Sequence, residues 1–363
     1  MAYSPFTVSV KPDGDAFISC VKREGTPKRT HFAELFLDAE FESAIGERYN
    51  VYSAVNSSDP FASYKKQIAI QRFLGYDYVK VGVEKLGFSF ERLTVDDDSE
   101  LKKAGGKRTF AEEHKGPITN WEEFEKYQWP DLAKAETKAL EWFDRNLPDD
   151  MVIIGGLTGH IAEEITWLMG YETLCYAFYE DRELVKAIYD KVFALHLHYV
   201  NLLLEFPKVK IIWASDDMGY KTQPMFSPSD FREFVFPAHK ALAEITHKKD
   251  RLYFLHACGK IDLLMDDLIH DVGIDAKHSF EDTIEDVASA KNKYGKHISV
   301  LGGIDVDFLC RADESSIRKR VRETLEKCHS GGGYCLGTGN SVANYIPVDN
   351  YLAMLDEGRK YSS

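Results

Sequence analysis

Eight short apolar runs, each followed by a stretch with helical signals, constrain this chain more than any other feature. They lie at 31–37 (HFAELFL), 78–83 (YVKVGV), 151–155 (MVIIG), 210–214 (KIIWA), 252–256 (LYFLH), 273–277 (GIDAK), 298–302 (ISVLG) and 333–336 (GYCL). Runs this short, with apolar residues on both faces and many β-branched side chains, suit parallel strands covered on both sides.

The intervening segments read as helices. Ser227-Pro228 supplies an N-cap with proline in the first turn, and Phe231, Phe234 and Val235 follow at helical spacing. Asn120 with Glu123 three residues on resembles a capping box ahead of WEEFEKY. Residues 182–204 have the pattern of one long amphipathic helix. Strand and helix alternating eight times predict an α/β chain, a (β/α)8 TIM barrel formed as a single domain over 1–363. A doubly wound open sheet would also alternate, but no Gly-x-Gly-x-x-Gly follows an early strand, so it ranks lower. Residues 1–29 form an N-terminal extension to the barrel. The stretch 84–150, after strand two, is too long for one crossover helix and predicts a lid-like insertion, with GGKRT at 105–109 as a mobile turn.

Composition narrows the partners. Hydrophobic residues make up 44% of the 363, enough for one large core, and the net charge is −14. An acidic surface repels phosphate, so nucleic acid and anionic membranes are not expected partners. The N-terminus has no basic segment followed by an apolar one, and no apolar run approaches the roughly 18 residues of a membrane span. The expectation is a cytoplasmic protein whose six cysteines stay reduced. Exposed barrel helices often pair, which leaves a homodimer open, although no apolar stripe specifies one.

Catalytic groups of such barrels collect at the C-terminal ends of the strands. FLHACGK places His256 and Cys258 where strand five ends, and Cys335 lies at the end of strand eight. An imidazole and two thiolates suit Zn²⁺, and three protein ligands leave a fourth position for substrate. A lone His-x-Cys is more often two packing residues; a third soft ligand at another strand end brings the readings to parity. WASDDMGYK, at the end of strand four, offers Asp216 and Asp217, either to complete the metal shell or to orient His256. For at least one of the two, a capping or turn role is the stronger reading. GHIAEE, after strand three, offers His160, Glu163 and Glu164 on similar terms, with acids at a helix start also favoured by the dipole. His278 lies just past strand six, and Asn340 sits in LGTGNSVANYIP, where glycines permit close approach to a ligand. Tyr220, Phe226 and Phe280, with Trp213, could frame an aromatic substrate, although barrels also bury aromatics for packing alone.

With these residues the chain resembles the uroporphyrinogen decarboxylase superfamily, and within it the zinc-dependent, corrinoid-linked methyltransferases. The resemblance spans RFLGYDYV (72–79), EEHKGPITNWEEFEKYQWP (112–130), LMGYE (168–172), LHACGKI (255–261), VLGGID (300–305) and YCLGTGNSV (334–342). It implies a zinc site at His256, Cys258 and Cys335 and a corrinoid cofactor carried by a partner protein, while the carboxylates Asp216, Asp217 and Glu164, read from their places at strand ends, are the candidate catalytic groups. One departure is informative. Decarboxylases open strand one with an arginine-rich segment that clamps substrate carboxylates, whereas this chain has Glu34 and Asp38 there. The resemblance then implies either of two activities. In the preferred one, methyl passes from a small methoxylated donor, an aromatic ether, to cob(I)alamin. In the other, a thiol of the coenzyme M type takes methyl from methylcobalamin. A metal-free decarboxylase and a non-catalytic corrinoid or tetrapyrrole-binding protein are further alternatives.

Overall fold

The apolar runs emerge as strands of one curled parallel sheet in the computed structural model, which describes residues 4–99, 101 and 106–361. The strands in chain order are β1 Tyr78–Val81, β2 Arg92–Asp96, β3 Lys107–Ala111, β4 Val152–Thr158, β5 Val209–Ser215, β6 Leu252–His256, β7 Ala276–His278, β8 Ser299–Leu301 and β9 Tyr334–Cys335. Seven of them form the main sheet in the order β1-β4-β5-β6-β7-β8-β9, every neighbouring pair parallel. Such a ladder demands a crossover between strands, and helices supply each one. The longest is Arg182–Leu203, capped by the Asp181 carboxylate, which accepts from the Leu184 N–H at 3.1 Å. The helix Pro228–Phe234 begins at Ser227, whose hydroxyl accepts from the Asp230 N–H at 3.2 Å.

The sheet differs from the expected eight-stranded barrel at residues 31–37. That run forms isolated parallel bridges to the far edge, Phe32 with Leu336 and Leu37 with Val342. Toward β1 side chains take the place of a ladder. The His31 Nδ1 lies 2.7 Å from the Asp77 carboxylate, the Glu34 N–H donates to the Tyr78 hydroxyl at 3.0 Å, and the Lys80 ammonium donates to the carbonyls of Glu34 and Leu35. The Lys80 amine thus binds carbonyls that a neighbouring strand's amides would otherwise bond, which prevents regular pairing along this seam. The architecture is a curled seven-stranded sheet of TIM-like form with residues 31–37 bridged to one edge.

Two additions cover the ends of the sheet. In the N-terminal extension, helix Gly14–Val21 sends Phe17 against Tyr78, ring centroids 5.5 Å apart, while the Gly333 N–H donates to the Cys20 carbonyl at 2.7 Å. The 84–150 insertion holds the antiparallel hairpin β2–β3, helix Trp121–Lys126 and the crossover helix Lys138–Asn146. Asn120 caps the first of these helices, accepting from the Glu123 N–H at 3.0 Å, and the Glu123 carboxylate reaches back to Thr119. Lys107–Thr109, expected within a turn, belong to β3, and Gly105 lies outside the described residues. Arg108 of the hairpin pairs with Asp38 at 3.1 Å and Asn344 donates to Asp97 at 2.9 Å, so the hairpin is tied to the C-terminal side of the sheet. Among the described residues no helix is long and apolar enough to cross a membrane.

Candidate metal centre

Parallel register aligns the strand ends that carry the centre: Ser215 pairs with His256, and His256 with His278. Beyond β6 the chain turns through Gly259, whose φ is +84°. A Cβ at Gly259 would lie 2.0 Å from the Gly219 carbonyl oxygen, so only glycine lets the 256–260 and 216–220 loops pack together. The Lys260 N–H donating to the Tyr220 carbonyl at 2.8 Å holds that contact.

This packing gathers three ligand types. The Cys258 Sγ lies 3.2 Å from the His256 Nε2, and that nitrogen lies 3.4 Å from the Asp217 Oδ1. The three ligand atoms all fall within 4.8 Å of one another. Tetrahedral zinc with bonds near 2.0–2.3 Å separates its ligand atoms by roughly 3.4 Å, which the two measured gaps match.

The electrostatics also suit a cation. The Cys258 thiol is pushed well above its ordinary range, first by burial and then by the Asp217 charge. Burial pushes Asp217 up as well, but the His256 imidazole and the Cys258 N–H, donating at 2.9 Å, hold it down at about 2. A carboxylate thus stands against a thiol, and a divalent ion between them would favour the thiolate. Behind them, the Nδ1 atoms of His256 and His278 are 2.8 Å apart, so one must donate and the other accept. Burial and the neighbouring His256 hold His278 far below the usual imidazole range, hence neutral. His278 can therefore accept from the His256 Nδ1–H, and a cation taking the place of a proton on the His256 Nε2 would meet that nitrogen's lone pair beside Cys258 and Asp217.

The expected site residues divide. Asp217, His256 and Cys258 come together, and the Asn340 Nδ2 donates to the Cys258 sulfur at 3.3 Å. Cys335 does not join them. It occupies the same register row as His256, through His278 and Leu301, but strands of a curled parallel sheet are tilted and staggered, so a row shifts along the axis from strand to strand. At β9 the row meets the N-terminal helix, where Cys335 is buried beside Cys20, both as free thiols. Residues further along the chain, including Asn340, reach Cys258 instead.

Asp216 is a structural cap rather than a group at the centre. Its carboxylate accepts from the Ala162 and Glu163 N–H groups, each at 3.0 Å, and from the His239 Nε2 at 2.9 Å. Glu164 points to His196, 2.8 Å from its Nε2, while the His196 Nδ1 accepts from the Gly159 N–H at 3.0 Å. His278 sits behind His256 and is fully buried, a support and not a substrate contact. Phe226 packs on Tyr171, Phe178 and Phe231 in the core. Phe280 lies under the Lys277 ammonium, 4.3 Å from its ring centre, lining a neighbouring pocket of about 170 Å³. Tyr220 is exposed and meets Tyr171 edge-on at 5.7 Å. Ser279, which donates to the Cys258 sulfur at 3.6 Å, carried no signal in the sequence beyond adjacency to His278.

Comparison with known proteins agrees with this architecture. The uroporphyrinogen decarboxylase (URO-D) family pattern matches residues 101–361. A methylated-thiol–coenzyme M methyltransferase of Methanosarcina mazei is 26% identical over 293 residues, covering 76% of this chain and 74% of that protein. A uroporphyrinogen decarboxylase of Trichodesmium erythraeum is 27% identical over 139 residues, 38% of each chain. The structure of a methyltransferase from Methanosarcina mazei superposes with a TM-score of 0.65 at 15% identity, covering 95% of this chain and 97% of that one, and so shares the fold. The match over most of the chain makes the conclusion plain: the protein belongs to the uroporphyrinogen decarboxylase family.

Proposed function

We propose that this protein is a zinc-dependent methyltransferase that moves a methyl group from a methoxylated aromatic compound to the cob(I)alamin of a partner corrinoid protein. The observation that carries the reading is the convergence of Asp217, His256 and Cys258, with ligand atoms within 4.8 Å. Zinc held there would act as a Lewis acid toward the departing oxygen of the methyl donor. His256 would present its Nε2 lone pair, fixed by His278, while Cys258 and Asp217 supply two negative charges. The Asn340 amide and the Ser279 hydroxyl both donate toward the Cys258 sulfur and spread its charge.

A carboxylate in place of a second thiolate makes the donor set harder, which favours an oxygen-bearing donor over a sulfur one. The start of the sheet lacks the arginine-rich segment that would clamp a polycarboxylate, which supports methyl transfer over decarboxylation. Burial pushes the Glu34 carboxyl there up to about 8. The second reading, a thiol as acceptor of methyl from methylcobalamin, is favoured by the name of the Methanosarcina mazei relative.

The test mixes the protein with reduced corrinoid protein and a panel of methoxylated aromatics, and follows methylcobalamin absorbance. Growth of that absorbance with one class of ether is expected. Thiol-dependent loss of methylcobalamin, with no ether active, would support the second reading instead.

A further inference from the structure

The helix Ile161–Met169 is almost entirely buried, yet one narrow face opens. Ile161, Ala162, Glu164, Ile165, Thr166, Leu168 and Met169 are buried, whereas Glu163 and Trp167 keep a small part of their surface exposed, as does His160 at the N-cap. Positions 160, 163 and 167 follow one another by three and four residues, so they form one stripe. Its polar members are coupled. The His160 Nδ1 lies 2.9 Å from the Glu163 carboxylate, and the His160 Nε2 has no hydrogen-bond partner among the described residues. Trp167 flanks the imidazole at 6.2 Å between ring centres and meets Phe90 of the insertion at 5.1 Å. The stripe borders the candidate metal centre: the Glu163 N–H bonds to Asp216, and the charge of Asp217 acts on the Glu163 carboxyl.

We propose that His160, oriented by Glu163, is the acid that protonates the leaving oxygen of the methyl donor, whose ring lies against Trp167 and Phe90. The inference rests on the methyl-transfer reading and adds to it the origin of the proton and the place of the ring. In the step, the O–CH₃ bond of the donor breaks and its electron pair stays on oxygen. The methyl carbon bonds to the electron pair of the partner's cobalt(I) corrinoid, and the proton on the His160 Nε2 passes to the oxygen, giving a neutral phenol. Solvent then returns a proton to the Nε2. A carboxylate on Nδ1 serves this role because it orients the ring and favours its protonated form. Burial lowers the affinity of His160 for its proton, but Glu163, Glu164 and Asp216 together raise it, to about 9. The other group facing it is His196, its ring 6.2 Å away, whose own Nε2 is taken up by Glu164.

The experiment compares wild type, His160→Gln and Glu163→Gln, each loaded with zinc, on aryl methyl ethers whose phenols span a wide range of acidity. Zinc content and melting temperature are expected to be unchanged in both variants. His160→Gln should slow ethers of weakly acidic phenols by about 10²–10³-fold while leaving an ether of a strongly acidic nitrophenol within a few-fold of wild type. Glu163→Gln should fall between, with the descending limb of the pH–rate profile moved to lower pH. An equal loss across the whole series would overturn the proposal, as would no loss on the poor leaving groups. A second readout needs no turnover: His160→Gln should weaken binding of the free phenol by about tenfold, through loss of one charge-assisted hydrogen bond. Unchanged phenol affinity overturns the proposal even if no ether is demethylated, whereas weakened affinity with an inactive wild type faults the methyl-transfer reading alone.

Discussion

Replacing Cys258 with serine is expected to strip zinc from the protein and to lower methyl transfer by about 10³-fold, with the fold intact. Groups that merely support a metal ligand are each worth about 10–100-fold, so loss of a ligand should exceed that range. Serine keeps the size of the side chain and can still accept from Asn340, which donates to the sulfur in the native protein. It cannot become the anion that zinc requires, because an alkoxide at neutral pH is far less accessible than a thiolate. Burial and the Asp217 charge push the thiol well above its ordinary range, so a thiolate there would need a cation beside it. Zinc content by atomic spectroscopy, beside a single-turnover assay with reduced corrinoid protein, checks both halves. Full methyl transfer in Cys258→Ser would show that the reaction does not depend on this thiolate.

The adjacent pair of aspartates should behave oppositely. Asp216→Ala is expected to cost about 3–5 kcal/mol of stability, since it removes one partner of a buried charged network. The variant would leave the Ala162 and Glu163 N–H groups and the His239 Nε2 without their acceptor in a region closed to water. For a chain of this length that loss lowers the melting temperature by about 5 °C. Zinc binding in the surviving folded fraction should be close to native, because no atom of Asp216 belongs to the ligand group. Thermal unfolding followed by circular dichroism separates this outcome from a direct role: a stable variant without zinc would make Asp216 a ligand after all.

The legible part of the fold was its rhythm. Runs at 78–83, 151–155, 210–214 and 252–256 all became sheet strands, because an apolar, β-branched run between helix caps has few other places to go. Residues 31–37 look as apolar as the rest, but they carry His31 and Glu34, whose partners Asp77 and Thr338 lie on other segments. Those long-range polar contacts, and the Lys80 ammonium across the seam, leave no trace in periodicity. At the site, the nearness of His256 and Cys258 is legible because two residues on one strand end are close by construction. Cys335 lies outside this group, since residue type and strand number say nothing about stagger, which decides whether two strand ends meet at the same height. Asp216 and Asp217 are neighbours in the sequence, and only the geometry distinguishes them: one carboxylate turns toward helix Ile161–Met169, its neighbour toward Cys258. The His160–Glu163 stripe was visible as a motif, and the helix dipole explained it equally well until burial picked out the open face.

In the proposed centre Asp217, not Cys335, stands with His256 and Cys258. Zinc stoichiometry of Asp217→Asn and Cys335→Ser, measured beside wild type after identical loading and dialysis, tests it most directly. One zinc per chain is expected in wild type and in Cys335→Ser, and less than a tenth of that in Asp217→Asn. Loss of zinc from a folded Cys335→Ser protein, with Asp217→Asn still fully loaded, would contradict it.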